Sequence, residues 1–87
     1  MSQPAVTVYT SDWCPYCQRA KALLTQKNVA FSEINVDEDA KFRQEMLARS
    51  NRRTVPQIFI GDRHVGGCDD LFELDRSGEL DRLIQGV

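Results

Sequence analysis

The sequence predicts a small α/β fold with its elements in the order βαβαββα, and three features point to it. Short runs rich in β-branched and apolar residues, Ala5-Val6-Thr7-Val8-Tyr9 and Phe31 to Val36, flank a stretch whose apolar residues recur at helical spacing. The dipeptide Gly61-Asp62 separates two further short runs at hairpin distance. Two cysteines, Cys14 and Cys17, with two residues between them, fall where the first strand gives way to the first helix.

Each element follows from local chemistry. After the first strand, Thr10 to Trp13 reads as a loop, and Pro15 opens a helix because a first-position N–H has no intrahelical partner to lose. Ala20, Leu23 and Leu24 give that helix its apolar stripe, and Lys27-Asn28 supplies its stop. The second strand, Phe31 to Val36, puts Ile34 and Val36 on one face and Glu33 and Asn35 on the other. A strand-helix-strand unit implies a parallel pair with a right-handed crossover. Asp37-Glu38-Asp39 at the start of the next segment, and Arg49, Arg52 and Arg53 at its end, match the two poles of a helix dipole. Phe42 and Met46, one turn apart, would face the core, while the arginines read as a solvated helix end, any of which could also orient a protein substrate. Thr54-Val55-Pro56 interrupts the chain before a hairpin made of Gln57-Ile58-Phe59-Ile60 and Arg63-His64-Val65-Gly66, whose turn needs a positive φ at Gly61. Asp69 or Asp70 caps a last helical region carrying Leu71, Leu74, Leu80, Leu83 and Ile84, with Ser77-Gly78 as a break inside it.

Composition bounds the function. A chain of 87 residues is expected to form one domain spanning 1–87, and domains of this size bury only about 60% of their unfolded surface. Hydrophobic residues at 41% and charged residues at 28% are globular proportions, with no apolar run near the roughly 20 residues of a membrane span. A net charge of −2 lacks the basic excess of a nucleic-acid binder. Met1-Ser2-Gln3-Pro4 shows no secretory signal pattern, and an odd cysteine count of 3 fits a reducing compartment, so a cytoplasmic protein is expected.

The chemistry gathers at three places. Cys14 falls at the N-cap of the first helix, facing free amides and the positive end of the dipole, which favour a thiolate. Cys17 lies on the first turn, placed to attack a disulfide made by Cys14 from within. The same pair also reads as half of a zinc site that Cys68 and His64 would complete. Thr54-Val55-Pro56 is an ordinary strand start with proline. Gly66-Gly67 followed by Cys68-Asp69-Asp70 reads as a close backbone approach ending at a helix start, where amides attract a carboxylate, and equally as a turn with an acidic cap.

Taken together, Cys14-Pro15-Tyr16-Cys17, Thr54-Val55-Pro56 and Gly66-Gly67-Cys68-Asp69-Asp70, in this order and spacing, resemble the glutaredoxins, specifically the small bacterial dithiol members. The resemblance covers nearly the whole chain. It implies a thioredoxin-like fold, a four-stranded mixed sheet with helices on both faces, and a glutathione-dependent thiol-disulfide oxidoreductase with Cys14 and Cys17 catalytic. Glutathione would be cosubstrate, with no permanently bound cofactor or metal. The partners implied are glutathionylated and disulfide-containing proteins, including reductive enzymes that take electrons from it, and the protein would be a monomer. Tyr16 would touch glutathione. Thr54, Val55 and a cis Pro56 would turn the Val55 backbone towards the tripeptide. Beside Gly67, the amides of Cys68 and Asp69 would hold the γ-glutamyl carboxylate and Asp70 the α-ammonium, with the two aspartates left interchangeable. Ser11 stands where many relatives carry lysine, so Arg43 on the second helix becomes the expected anchor for the glycine carboxylate. Trp13 would shield the dithiol or contact substrates, Cys68 is a tolerated small residue, and His64 is structural. A cluster carrier and a thioredoxin reduced by a flavoprotein are the neighbouring readings that Pro15, Tyr16 and the glycine-aspartate stretch argue against.

Overall fold

A computed structural model describes residues 4–85. Met1, Ser2 and Gln3, on which the reading of the N-terminus partly rests, lie outside the described residues. The elements are β1 (Val6–Thr10), α1 (Pro15–Gln26), β2 (Ser32–Asn35), α2 (Ala40–Ser50), β3 (Gln57–Ile60), β4 (Arg63–Gly66), α3 (Cys68–Ser77) and α4 (Glu79–Gln85). They form one four-stranded sheet in the order β2-β1-β3-β4. β1 runs parallel to β2, with Tyr9 opposite Ile34, and antiparallel to β3, with Val8 opposite Ile58. β3 and β4 close the hairpin around Gly61, whose φ of +60° is the conformation the turn requires.

Helices cover both faces. Val6 and Val8 of β1 and Ile58 and Ile60 of β3 pack with Ala20, Leu23 and Leu24 of α1, Leu71 of α3 and Leu80 and Ile84 of α4. The alternate residues Tyr9 and Phe59 point the other way and pack with Val36 and Met46, joined by Ile34 and Phe42. Because both faces of the two central strands are covered, their burial shows little alternation. Among the described residues no helix is long and apolar enough to cross a membrane.

Two local expectations change. The second strand is trimmed at both ends, since Phe31 packs against the first core while Val36 donates its N–H to the Thr10 carbonyl beyond the strand's last residue. Asp70 caps α3, but from the third helical position instead of the N-cap. Gly67 is the N-cap residue, and the aspartates occupy the first turn, where Asp70 reaches back to accept the Gly67 N–H at 2.9 Å. The last helical region breaks at Gly78, with φ +83°.

Candidate active site

The site is built where three segment ends meet at the carboxyl ends of β1 and the start of β3. Cys14 is the N-cap of α1, with extended backbone (φ −112°, ψ 98°), and Pro15 follows at the first helical position. The Cys17 N–H donates to Cys14 Sγ at 3.1 Å, so the sulfur sits on the orphan amides of the helix start. Cys14 is half-buried and Cys17 is fully buried. The two are joined in a disulfide, with Cα atoms 5.2 Å apart. On reduction the same amide faces a thiolate, and its partial charge together with the helix dipole stabilises the anion over the thiol.

Opposite the sulfurs stands the loop before β3. The Val55-Pro56 peptide bond is cis, and the Val55 carbonyl oxygen lies 3.9 Å from Cys14 Sγ. A bracket behind the loop fixes it. Gln57 is completely buried, and its Nε2 donates to the Thr54 carbonyl at 2.9 Å and to Thr54 Oγ1 at 3.1 Å. Its Oε1 is 2.7 Å from His64 Nε2, which fixes the His64 tautomer as a donor through that nitrogen. The His64 ring in turn stacks on Phe59, with centroids 4.9 Å apart. Burial pulls the His64 pKa down, the Arg52 cation adds to this, and Asp70 opposes both.

Between these segments opens a cavity of about 240 Å³. Tyr16 forms the α1 wall, Thr54, Val55 and Pro56 the loop wall, and Gly67, Cys68, Asp69 and Asp70 the α3 wall. At Gly66 the backbone has φ +119°, and a Cβ there would collide with the Asp70 carboxylate, so only glycine lets that carboxylate return to its own helix start. Gly67 is different: a Cβ there would make only ordinary contact, 3.5 Å from the Pro56 carbonyl oxygen.

Arg43 does not line this cavity. Its guanidinium donates to Asp37 Oδ1 at 2.8 Å, and it lines a separate hollow on α2. The cation that does line the cavity is Arg52, paired with Asp70 at 3.4 Å. The left-handed Asn51 ends α2, and Arg52 follows it with its exposed guanidinium at the cavity edge beside Asp70. Its sequence signal was its place two residues before Thr54. Ser11 donates only to the Asp12 carbonyl, at 3.4 Å, outside the cavity.

Cys68 is buried, and burial raises its thiol pKa, an effect the Arg19 cation opposes and Asp69 reinforces. It is a protonated thiol at neutral pH. Cys68 and His64 do not converge with the dithiol: among the described residues no cluster of three or more His, Cys, Asp or Glu is placed to hold a metal ion.

Comparison with known proteins places this arrangement. The family model described as Glutaredoxin matches residues 6–65. Glutaredoxin 3 of Escherichia coli strain K12 is 56% identical over 80 residues, spanning 92% of this chain and 96% of its own. The solution structure of glutaredoxin from Brucella melitensis is 52% identical with a TM-score of 0.85, covering 97% of this chain and 91% of that one. The crystal structure of the buckwheat glutaredoxin-glutathione complex superposes with a TM-score of 0.87 at 31% identity, covering 95% of this chain and 78% of that one. With the dithiol at a helix start, the mixed four-stranded sheet of the thioredoxin-like fold and these likenesses over nearly its whole length, the chain belongs to the glutaredoxin family of thiol-disulfide oxidoreductases.

Proposed function

We propose that the protein uses glutathione to reduce protein-glutathione mixed disulfides and protein disulfides, with Cys14 as nucleophile and Cys17 as resolving thiol. The observation that carries this is the junction of a helix-start sulfur with an open cavity whose walls are a backbone edge and a helix N-terminus. A tripeptide with a carboxylate at each end and an ammonium beside one of them suits such walls. Val55 offers a strand-like edge, the amides at the start of α3 suit the γ-glutamyl carboxylate, and Asp70 suits the α-ammonium. Arg52 joins Arg43 as an anchor for the glycine carboxylate: as ammonium replaces guanidinium at Asp70, the Arg52 guanidinium is freed for a carboxylate. The buckwheat relative was crystallised with glutathione, which supports the same ligand here.

In the reaction the Cys14 thiolate attacks the glutathionyl sulfur of a mixed disulfide, the old S–S bond breaks, and the client's sulfur leaves as thiolate and takes a proton from water. A second glutathione thiolate then attacks that same glutathionyl sulfur, releasing oxidised glutathione and restoring the Cys14 thiolate. With a protein disulfide, Cys17 displaces the client from Cys14, and two glutathiones reduce the resulting Cys14-Cys17 bond. The reading includes a single domain over residues 1–87, acting as a monomer in a reducing compartment such as the cytoplasm, with glutathione as cosubstrate and no resident cofactor. Turnover of a glutathionylated peptide tests it. Cys14→Ser is expected to abolish activity, while Cys17→Ser keeps it and fails on protein disulfides. Equal loss in both variants would overturn the assignment of roles.

A further inference from the structure

Two features next to the site take no part in the tripeptide cavity. The large apolar side chains left exposed among the described residues are Trp13 at 99%, Tyr16 at 56% and Leu47 at 38%. Tyr16 lines the tripeptide cavity; Trp13 and Leu47 do not. Trp13 is not loosely placed. Its φ is +56°, a conformation that a bulky residue holds only when its surroundings impose it. The Asp12 N–H donates to Asp37 Oδ2 at 2.8 Å, and Asn35 Nδ2 donates to Asp12 Oδ1 at 2.8 Å, so the loop before Trp13 is pinned.

That pinning joins Trp13 to α2. Asp37 also accepts from Arg43, and Arg43 lines a hollow of about 370 Å³ floored by Met46 and Leu47 and rimmed by Arg53. Arg53 is followed directly by Thr54, which lines the tripeptide cavity, so one segment, 52–56, contributes to the walls of both hollows. Cys14 Sγ sits 3.9 Å from the Val55 carbonyl on that segment.

We propose that Trp13 and the α2 hollow dock the protein half of a disulfide substrate, one that presents an apolar side chain and acidic residues beside its cysteine. This rests on the proposed reaction, in which every mixed disulfide brings two halves to one sulfur. The tripeptide half takes the first cavity, and the other half must lie across the surface that continues from it. Charge selects the client. The chain is net negative at −2, yet residues 41–53 carry five cations against Glu45 alone; with Arg43 paired to Asp37, Arg52 to Asp70 and Arg49 stacked over Phe59, Lys41 and Arg53 are left to meet a client's acidic residues.

The test compares three substrates: the mixed disulfide of cysteine and glutathione, and two glutathionylated peptides with leucine beside the cysteine, one carrying glutamates and one carrying lysines. At low ionic strength the acidic peptide is expected to exceed the basic one in kcat/KM by about fivefold, and Trp13→Ala or Leu47→Asp to lower peptide turnover by about fivefold while small-disulfide turnover stays within about twofold. Arg53→Glu is expected to erase the acidic preference. Equal losses on peptide and small disulfide, or no loss on either, would overturn the docking surface. Failure of the wild type on all three substrates would instead defeat the proposed reaction. In that event docking is read from the emission of Trp13, the only tryptophan, on titration with the acidic peptide carrying serine for cysteine. A shift supports it, and an unchanged spectrum overturns it.

Discussion

At the residue scale, two adjacent glycines do different work, and substitution separates them. Gly66 combines a φ of +119° with a Cβ direction that runs into the Asp70 carboxylate, so Gly66→Ala must both strain the backbone and push Asp70 off the Gly67 N–H. A loss of about 1–3 kcal/mol in unfolding free energy is expected, measured by urea denaturation. Gly67→Ala meets no such obstacle, with φ −92° and its nearest contact 3.5 Å away, but its methyl group would stand in the wall of the tripeptide cavity. It is expected to cost less stability than Gly66→Ala, about the difference between glycine and alanine as N-cap, and to raise the KM for glutathione several-fold; an unchanged KM would show that the ligand does not approach this wall. Sequence alone marked both glycines as a close backbone approach but could not rank them, because rank depends on where the Asp70 side chain folds back. Cys14 was legible for the opposite reason, since Pro15 fixes the helix start and the helix start fixes the sulfur's surroundings. Arg43 and Arg52 could not be told apart without the left-handed turn at Asn51, after which one cation stands at the cavity edge.

At the element scale, the hairpin holds the loop before it. Gln57 opens β3 with its side chain buried and its amide fully committed, to Thr54 on one side and His64 of β4 on the other. The hairpin itself was readable from Gly61-Asp62 and its flanking apolar runs. The bracket was not, because a glutamine at the start of an apolar strand looks like an edge residue until the second face of the sheet is known to be covered. Gln57→Leu removes the partner of the Thr54 carbonyl and leaves a part-buried acceptor unmet. The expected loss is about 1–3 kcal/mol of stability. A purely structural role would stop there. If the bracket positions Val55 for the ligand, the KM for glutathionylated substrate also rises at temperatures well below melting, while the alkylation rate of Cys14 against pH stays that of the parent, since the Cys17 amide beneath the sulfur is untouched.

At the scale of the whole molecule, the shifted groups set a pH window for stability, and their signs can be worked through. The folded state holds His64 below its ordinary pKa, chiefly through burial and then through Arg52. As pH falls below about 6.5, the unfolded chain takes up a proton that the folded one resists, so stability drops. Glu33 is also lowered, first by the Thr10 hydroxyl and then by Lys21 against its own desolvation, and its contribution is lost further into acid as it protonates. On the alkaline side burial raises Cys68, so from about 8.5 upwards the unfolded chain releases a proton that the folded one keeps, and stability falls again. Tyr9, raised by burial and by Glu45, and Lys27, raised by Asp75 and Asp81, extend that decline above about 10. The melting temperature of the Cys14-Cys17 disulfide form is therefore expected to be highest between about pH 7 and 8 and to fall in both directions. His64→Gln isolates the acid limb. Glutamine places an amide donor where His64 Nε2 meets Gln57 but cannot take up a proton, so the slope between about pH 7 and 5 should flatten while the alkaline limb stays unchanged. An unaltered acid slope in this variant would assign the limb to carboxylates instead, Glu33 first among them.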